Sequence, residues 1–179
     1  DELGKRFPEI CFVRCFMDPI MRKSGLTPDQ KLRLSMYDPL KKGTVTEEGQ
    51  RRISILGSDF ALDATSDLKR LLRCNDYQIK ESPVCESWED YLSLSDCRMM
   101  LNCYPSGKAG TEWAAERLGR PFMYMPSCFD YDEIIGQLEA LSESMELLGV
   151  LDYEGEKESC EAALHEALLE VGDWPIAID

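Results

Sequence analysis

Ile53-Ser54-Ile55-Leu56-Gly57 is the stretch that decides the fold. A β-branched apolar run that closes on a glycine turn, followed by Ser66-Asp67-Leu68-Lys69-Arg70-Leu71-Leu72 at helical spacing, opens a strand-turn-helix unit. The same alternation then repeats downstream. Tyr77 to Lys80 gives a second short strand, and Ser87-Trp88-Glu89-Asp90 starts a second helix with a capping-box-like signature. Met99-Met100-Leu101-Asn102-Cys103 is a third strand, followed by a helix over about Thr111 to Leu118 that Gly119 stops. Pro121-Phe122-Met123-Tyr124-Met125 is the fourth strand. Asp130-Tyr131-Asp132-Glu133 caps a long helix to about Leu148, and an acidic helix spans about Glu156 to Val171 before Gly172. Trp174 to Ile178 reads as one more strand with nothing after it.

Strands alternating with helices at this spacing predict an α/β fold, Rossmann-like, in three layers: a parallel sheet with right-handed crossovers and helices on both faces. Residues 1–50 form a leading segment with one helix, an N-terminal helical extension to the fold. Its start is marked by Thr27-Pro28-Asp29-Gln30, which places Thr at the N-cap, Pro at the first helical position and Gln at the third, and Pro39 and Gly43 end it. Residues 51–150 are the Rossmann-like domain. Residues 151–179 are the acidic helix and the first strand of a truncated next domain, so the chain reads as a fragment.

At 179 residues the chain is long enough to bury roughly 70% of its unfolded surface. No apolar run approaches the ~20 residues of a membrane span, and Asp1 to Phe7 lack a secretory signal pattern, so a cytoplasmic site is expected. The net charge of -14 is unevenly placed. Residues 120–179 carry 15 acidic side chains against Arg120 and Lys157 alone, whereas the preceding 119 are nearly balanced, 19 acidic to 18 basic. Phosphate binding by nucleic-acid readers needs a clustered basic surface, so nucleic acid is not an expected partner. The acidic last third reads as a solvated helical face, or as a dock for a basic partner. Eight cysteines contain no CxxC pair, which removes zinc-finger, thioredoxin and ferredoxin spacings. Cys11 and Cys15 would share one face of a helix, as ordinary half-buried thiols or as a pair of ligands. The single histidine, His165, reads as a helix-surface residue.

Ligands in folds of this type sit beyond the carboxyl ends of the strands. That rule points at Gly57 to Phe60, Cys103 to Gly107 and Pro126 to Phe129. No GxGxxG follows a strand, so dinucleotide binding is disfavoured. Pro105-Ser106-Gly107-Lys108-Ala109 is a failed phosphate loop, with Asn102 where the first glycine belongs and Ala109 where Ser or Thr would hold magnesium. What remains is a small-residue turn at a helix N-terminus beside Lys108, able to hold an anion through unpaired N–H groups or to serve as a plain βα turn.

The run Leu101-Asn102-Cys103-Tyr104-Pro105-Ser106, with Glu116-Arg117-Leu118-Gly119-Arg120-Pro121 after it, resembles the second domain of the nitrogenase component 1 oxidoreductases and their cofactor-maturase relatives. In that family a strand ends in Cys-Tyr-Arg-Ser, and a Gly-x-Pro follows at the separation seen here. Ile53 to Gly57, Glu86 to Asp90 and Gly172 to Asp179 are similar to the flanking pieces in the same order, so the resemblance covers about residues 50–179. It implies that Cys103 ligates the metal of an iron-sulfur or iron-molybdenum-type cluster, that Ser106 and Tyr104 lie beside it, and that Gly57 lines the same crevice. A thiolate is the soft ligand such clusters prefer, and a strand end beside a helix N-terminus is expected to lower the thiol pKa. Pro105 stands where the family has Arg. The resemblance places further cluster ligands in flanking domains, so the fragment alone should hold no cluster and turn nothing over; its catalytic residues stay unassigned. It also implies a paired homologous subunit and an ATP-dependent iron-sulfur reductase as partners. Two other readings stay open: a cofactor-assembly scaffold of the same fold, and a flavodoxin-like binding module with an accidental Cys-Tyr-x-Ser.

Overall fold

A computed structural model describes residues 2–13, 25–148 and 151–172. In chain order its helices are α1 (Glu2–Arg6), α2 (Pro28–Tyr37), α3 (Asp67–Cys74), α4 (Trp88–Leu92), α5 (Lys108–Leu118), α6 (Tyr131–Met145) and α7 (Tyr153–Val171). The strands are β1 (Arg52–Ile55), β2 (Gln78–Glu81), β3 (Met99–Asn102) and β4 (Phe122–Tyr124). They form one sheet in the order β2-β1-β3-β4, every pair parallel. The fold is α/β and Rossmann-like, as the alternation predicts.

The strand order follows from two crossovers in opposite directions. The chain leaves β1 through α3 to reach β2 on one side, then returns past β1 to β3 and continues through α5 to β4. Right-handed crossovers running opposite ways put α3 and α5 on opposite faces of the sheet. Strand alternation assigns the side chains. Ile53 pairs with Met99 and Ile55 with Leu101, and these four, all buried, share one face. Buried Ser54, Met100 and Asn102 alternate onto the other, where Met100 joins Tyr37, Leu40, Leu94, Ala114 and Leu118 in one apolar cluster.

The local signals that predict the helices are used as read, with informative differences. The Thr27 side chain accepts from the Gln30 backbone N–H while Gln30 accepts from the Thr27 N–H, a full capping box. Ser87 caps α4 by accepting from the Asp90 N–H, but the Asp90 carboxylate accepts from the Glu86 N–H instead, so that box is displaced by one residue. Helix α5 starts three residues before Thr111, because a 3-10 turn over Pro105–Gly107 feeds straight into it. Helix α7 starts at Tyr153 rather than Glu156, capped by Asp152. The leading segment holds a second short helix, α1, where one was expected. Cys11 lies outside any helix and is exposed, which corrects its expected helical setting. Cys15, Trp174 and the strand expected over 174–178 lie outside the described residues.

The chain divides into two compact units, Asp1–Cys128 and Phe129–Asp179. The sheet belongs to the first. The second contains α6 and α7, tied by an ion pair from Lys157 to Asp132 at 3.3 Å. Among the described residues no helix is long and apolar enough to cross a membrane.

Candidate functional site

The order β2-β1-β3-β4 has its topological switch point between β1 and β3, and the carboxyl ends of those strands are where such folds place ligands. Gly57 follows β1 there and Cys103 to Gly107 follow β3, so the structure brings the expected site residues to one edge.

The turns themselves are closed against each other. Gly57 has φ +85, and a Cβ on it would lie 2.3 Å from Asn102 Nδ2 and 2.7 Å from Gly107 Cα. A Cβ on Gly107 would lie 2.3 Å from the Gly57 carbonyl oxygen. Only two glycines allow this approach. The Asn102 side-chain amide is wedged beside them, donating to the Leu56 carbonyl at 2.7 Å with no exposure to solvent. The Gly107 N–H donates to the Tyr104 carbonyl and the Lys108 N–H to the Pro105 carbonyl. These two donors are consumed within the turn, which corrects their expected availability to an anion. Lys108 Nζ sits 4.6 Å above the Tyr124 ring, a cation–π contact.

Helix α2 brings two side chains that sequence reasoning missed. Arg33 and Tyr37, four apart and hence on one helix face, reach the Gly57 turn. The Arg33 guanidinium is buried and holds Asp59 at 3.0 Å and Asp29 at 3.2 Å. Asp59, in the Gly57–Phe60 segment after β1, is therefore the carboxylate partner of Arg33. The Tyr37 hydroxyl meets the Gly57 backbone, Arg33 and Thr111, and its burial pushes its pKa up. Gly110 permits the close crossing, since a Cβ there would lie 3.1 Å from Arg33 Cβ. The signal for this was the pairing of Arg and Tyr at i, i+4 on a well-capped helix.

Cys103 takes the opposite face. Alternation places it with Leu101 and Ile55, and Ile55 pairs with Glu81, the last residue of β2. Glu81 is itself buried and paired to Lys69 of α3 at 2.5 Å. The two charges also clamp the loop after β1: Lys69 donates to the Leu62 carbonyl and Glu81 accepts from the Leu62 N–H, both at 2.7 Å. Burial first, and the Glu81 charge second, push the Cys103 thiol up to about 11. That reverses the expected lowering: the strand end supplies a dry setting and a carboxylate, not a cation. Tyr104 is half exposed, and Ser106 half-buried.

An iron-sulfur cluster requires several thiolates or other soft donors at one place. Among the described residues no three His, Cys, Asp or Glu side chains gather to hold a metal ion. With one protonated thiol beside a negative charge, the residues present do not by themselves fit the cluster. Cys128 is half-buried, and Cys74 and Cys160 are exposed. His165 is on the surface of α7, as expected. No family model matches the chain, and no curated protein matches it.

Proposed function

We propose that the chain is the central domain of a nitrogenase-like component 1 subunit. In the longer parent it presents Cys103 to an iron-sulfur-type cofactor site whose other donors come from outside these residues, and it is inactive alone. The observation that carries this reading is positional. The one cysteine inside the Leu101–Ser106 and Glu116–Pro121 pattern ends a strand at the switch point, where α/β folds place ligands. The reading extends to a homologous paired subunit, an ATP-dependent reductase and a cytoplasmic site.

A specific observation favours a second reading. The raised thiol pKa and the closed Gly57–Gly107 contact suit a flavodoxin-like binding module in which Cys103 is a packing residue. Iron and acid-labile sulfide in the full-length parent, purified without oxygen as wild type and as Cys103→Ala, decide between the two. Iron that falls sharply in a variant that remains folded supports the cofactor reading; no iron in the wild type, or equal iron in the variant, sinks it. Turnover with an added reductase then distinguishes a working subunit from an assembly scaffold.

A further inference from the structure

A groove of about 440 Å³ lies where the chain leaves the carboxyl end of β2 and turns into α4. That volume is in the range of small-molecule sites, which are mostly apolar and aromatic with a few placed polar groups. Val13, Met36, Cys85, Trp88 and Tyr91 supply the apolar lining. Trp88 stays 44% exposed, Val13 41% and Met36 38%. Leaving a tryptophan this open forgoes apolar burial that a ligand would restore.

The lining is built in advance. The Trp88 ring stacks on Tyr91 with centroids 5.4 Å apart, and the Tyr91 hydroxyl donates to the Met36 carbonyl of α2 at 2.6 Å. The turn ahead of α4 is fixed as well: the Glu86 N–H donates to the Asp90 carboxylate at 3.1 Å, and the Asp90 N–H to Ser87 Oγ at 3.0 Å. Binding here would order little that is not already ordered, which lowers its entropic cost.

Charge identifies the occupant. Glu86 is the ionised side chain that lines the groove; it is exposed, and its carboxylate has no ion pair among the described residues. Asp90 behind it is already neutralised by Lys80, and no Lys or Arg is among the lining residues. An aromatic ring beside an unneutralised carboxylate attracts a cation and disfavours an anion. A hard metal ion is poorly served by the same lining, since one carboxylate among mostly apolar side chains is too small a set of oxygen donors.

We propose that this groove binds a small organic cation, an ammonium group carried on a flat apolar body, with the body against Trp88 and the charge toward Glu86. The groove is built from α2, α4 and the segment after β2 and does not involve Cys103, so it is independent of the cofactor reading.

The test titrates the isotope-labelled whole chain with three probes of similar shape: benzylammonium, benzyl alcohol and benzoate. The Trp88 indole N–H signal is identified among those of the three tryptophans by its loss in Trp88→Leu. Benzylammonium is expected to shift that signal saturably with a Kd on the order of 10 mM or below, about fivefold tighter than benzyl alcohol, with benzoate weakest. Glu86→Gln should weaken benzylammonium about two- to fivefold and leave benzyl alcohol unchanged. Glu86 is exposed and unpaired, so the amide spectrum of this variant should otherwise match the wild type. Three results would overturn the proposal: no saturable shift at Trp88 up to about 50 mM probe; benzyl alcohol or benzoate binding as tightly as benzylammonium, which would leave a merely apolar groove; or equal benzylammonium binding by Glu86→Gln, which would mean that the carboxylate does not face the ligand.

Discussion

Gly57 shows how one residue sets the character of the switch point. Its φ of +85 strains any residue with a side chain, and its missing Cβ is what lets Gly107 approach. Gly57→Ala adds backbone strain to an overlap with Gly107 Cα, and is expected to destabilise the fold by about 2–5 kcal/mol. Urea denaturation measures this, and a change within a few tenths of a kcal/mol would mean the two turns are not in contact. At Cys103 the environment governs reactivity. A thiol held at about 11 and buried should react with iodoacetamide at pH 8 on the order of a hundredfold more slowly than an unperturbed one. Peptide mass spectrometry after a timed pulse gives the rate, and labelling of Cys103 as fast as an exposed thiol would contradict the burial. The sequence shows where Cys103 lies, because a strand ending in a turn is a local pattern. It does not show the pKa, because the two causes are the sheet that buries the thiol and Glu81, 22 positions away in sequence and brought near only by strand pairing.

Among elements, those with caps were the most legible. Thr27 and Gln30 announce α2 and form the reciprocal box, so Thr27→Ala should cost about 1 kcal/mol, seen as a lower urea midpoint. Because α2 carries Arg33 and Tyr37 to the Gly57 turn, the same change should loosen that turn, with faster amide exchange at Gly57 as the readout. What α2 packs on was not legible: a leading helix carries no mark of which face of a later sheet it covers. Strand β2 and helix α3 depend on a different device. Lys69 and Glu81 form a buried pair, and removing one partner leaves an uncompensated charge. Glu81→Ala is expected to cost about 3–5 kcal/mol, while Lys69→Met/Glu81→Leu together recover most of the loss. If the double variant is no more stable than Glu81→Ala, the lost hydrogen bonds to Leu62, and not the unpaired charge, account for the cost. Sequence reading passed over both residues, since a Lys in a helix and a Glu at a strand end look like ordinary surface choices until the crossover places one above the other.

The whole molecule inherits a pH profile from its buried thiols and phenols. Burial is the leading cause that pushes Cys97, Cys103, Tyr37 and Tyr91 all upward, and Cys85 moves the same way through burial and the nearby Asp90 charge. Each of these groups is neutral when protonated, so the native state keeps protons that the unfolded chain releases at lower pH. The stabilisation is complete below the unfolded values, near 8.5 for thiols and 10 for phenols, and is lost as pH rises through the folded ones. For Cys103 that window runs from about 8.5 to about 11 and corresponds to roughly 3–3.5 kcal/mol in total. The other thiols and phenols act in the same direction, so the first unit should lose stability as the solution becomes alkaline. On the acid side the linkage has the opposite sign. Burial pushes the Asp96 carboxyl up, but the hydrogen bonds from Thr46 and the charges of Arg52 and Arg120 outweigh it and hold it low, so its contribution fades only as pH falls through that lowered value. Urea midpoints from pH 6 to 11 should therefore be flat to about 8.5 and then fall steeply. Cys103→Ala should start lower, from the small cavity it leaves, yet fall less between 9 and 11 because one of the linked protons is gone. A variant whose alkaline slope equals the wild type's would show that Cys103 releases its proton equally easily folded and unfolded. In that case the strand end is wet rather than dry, and the thiol is open to a metal after all.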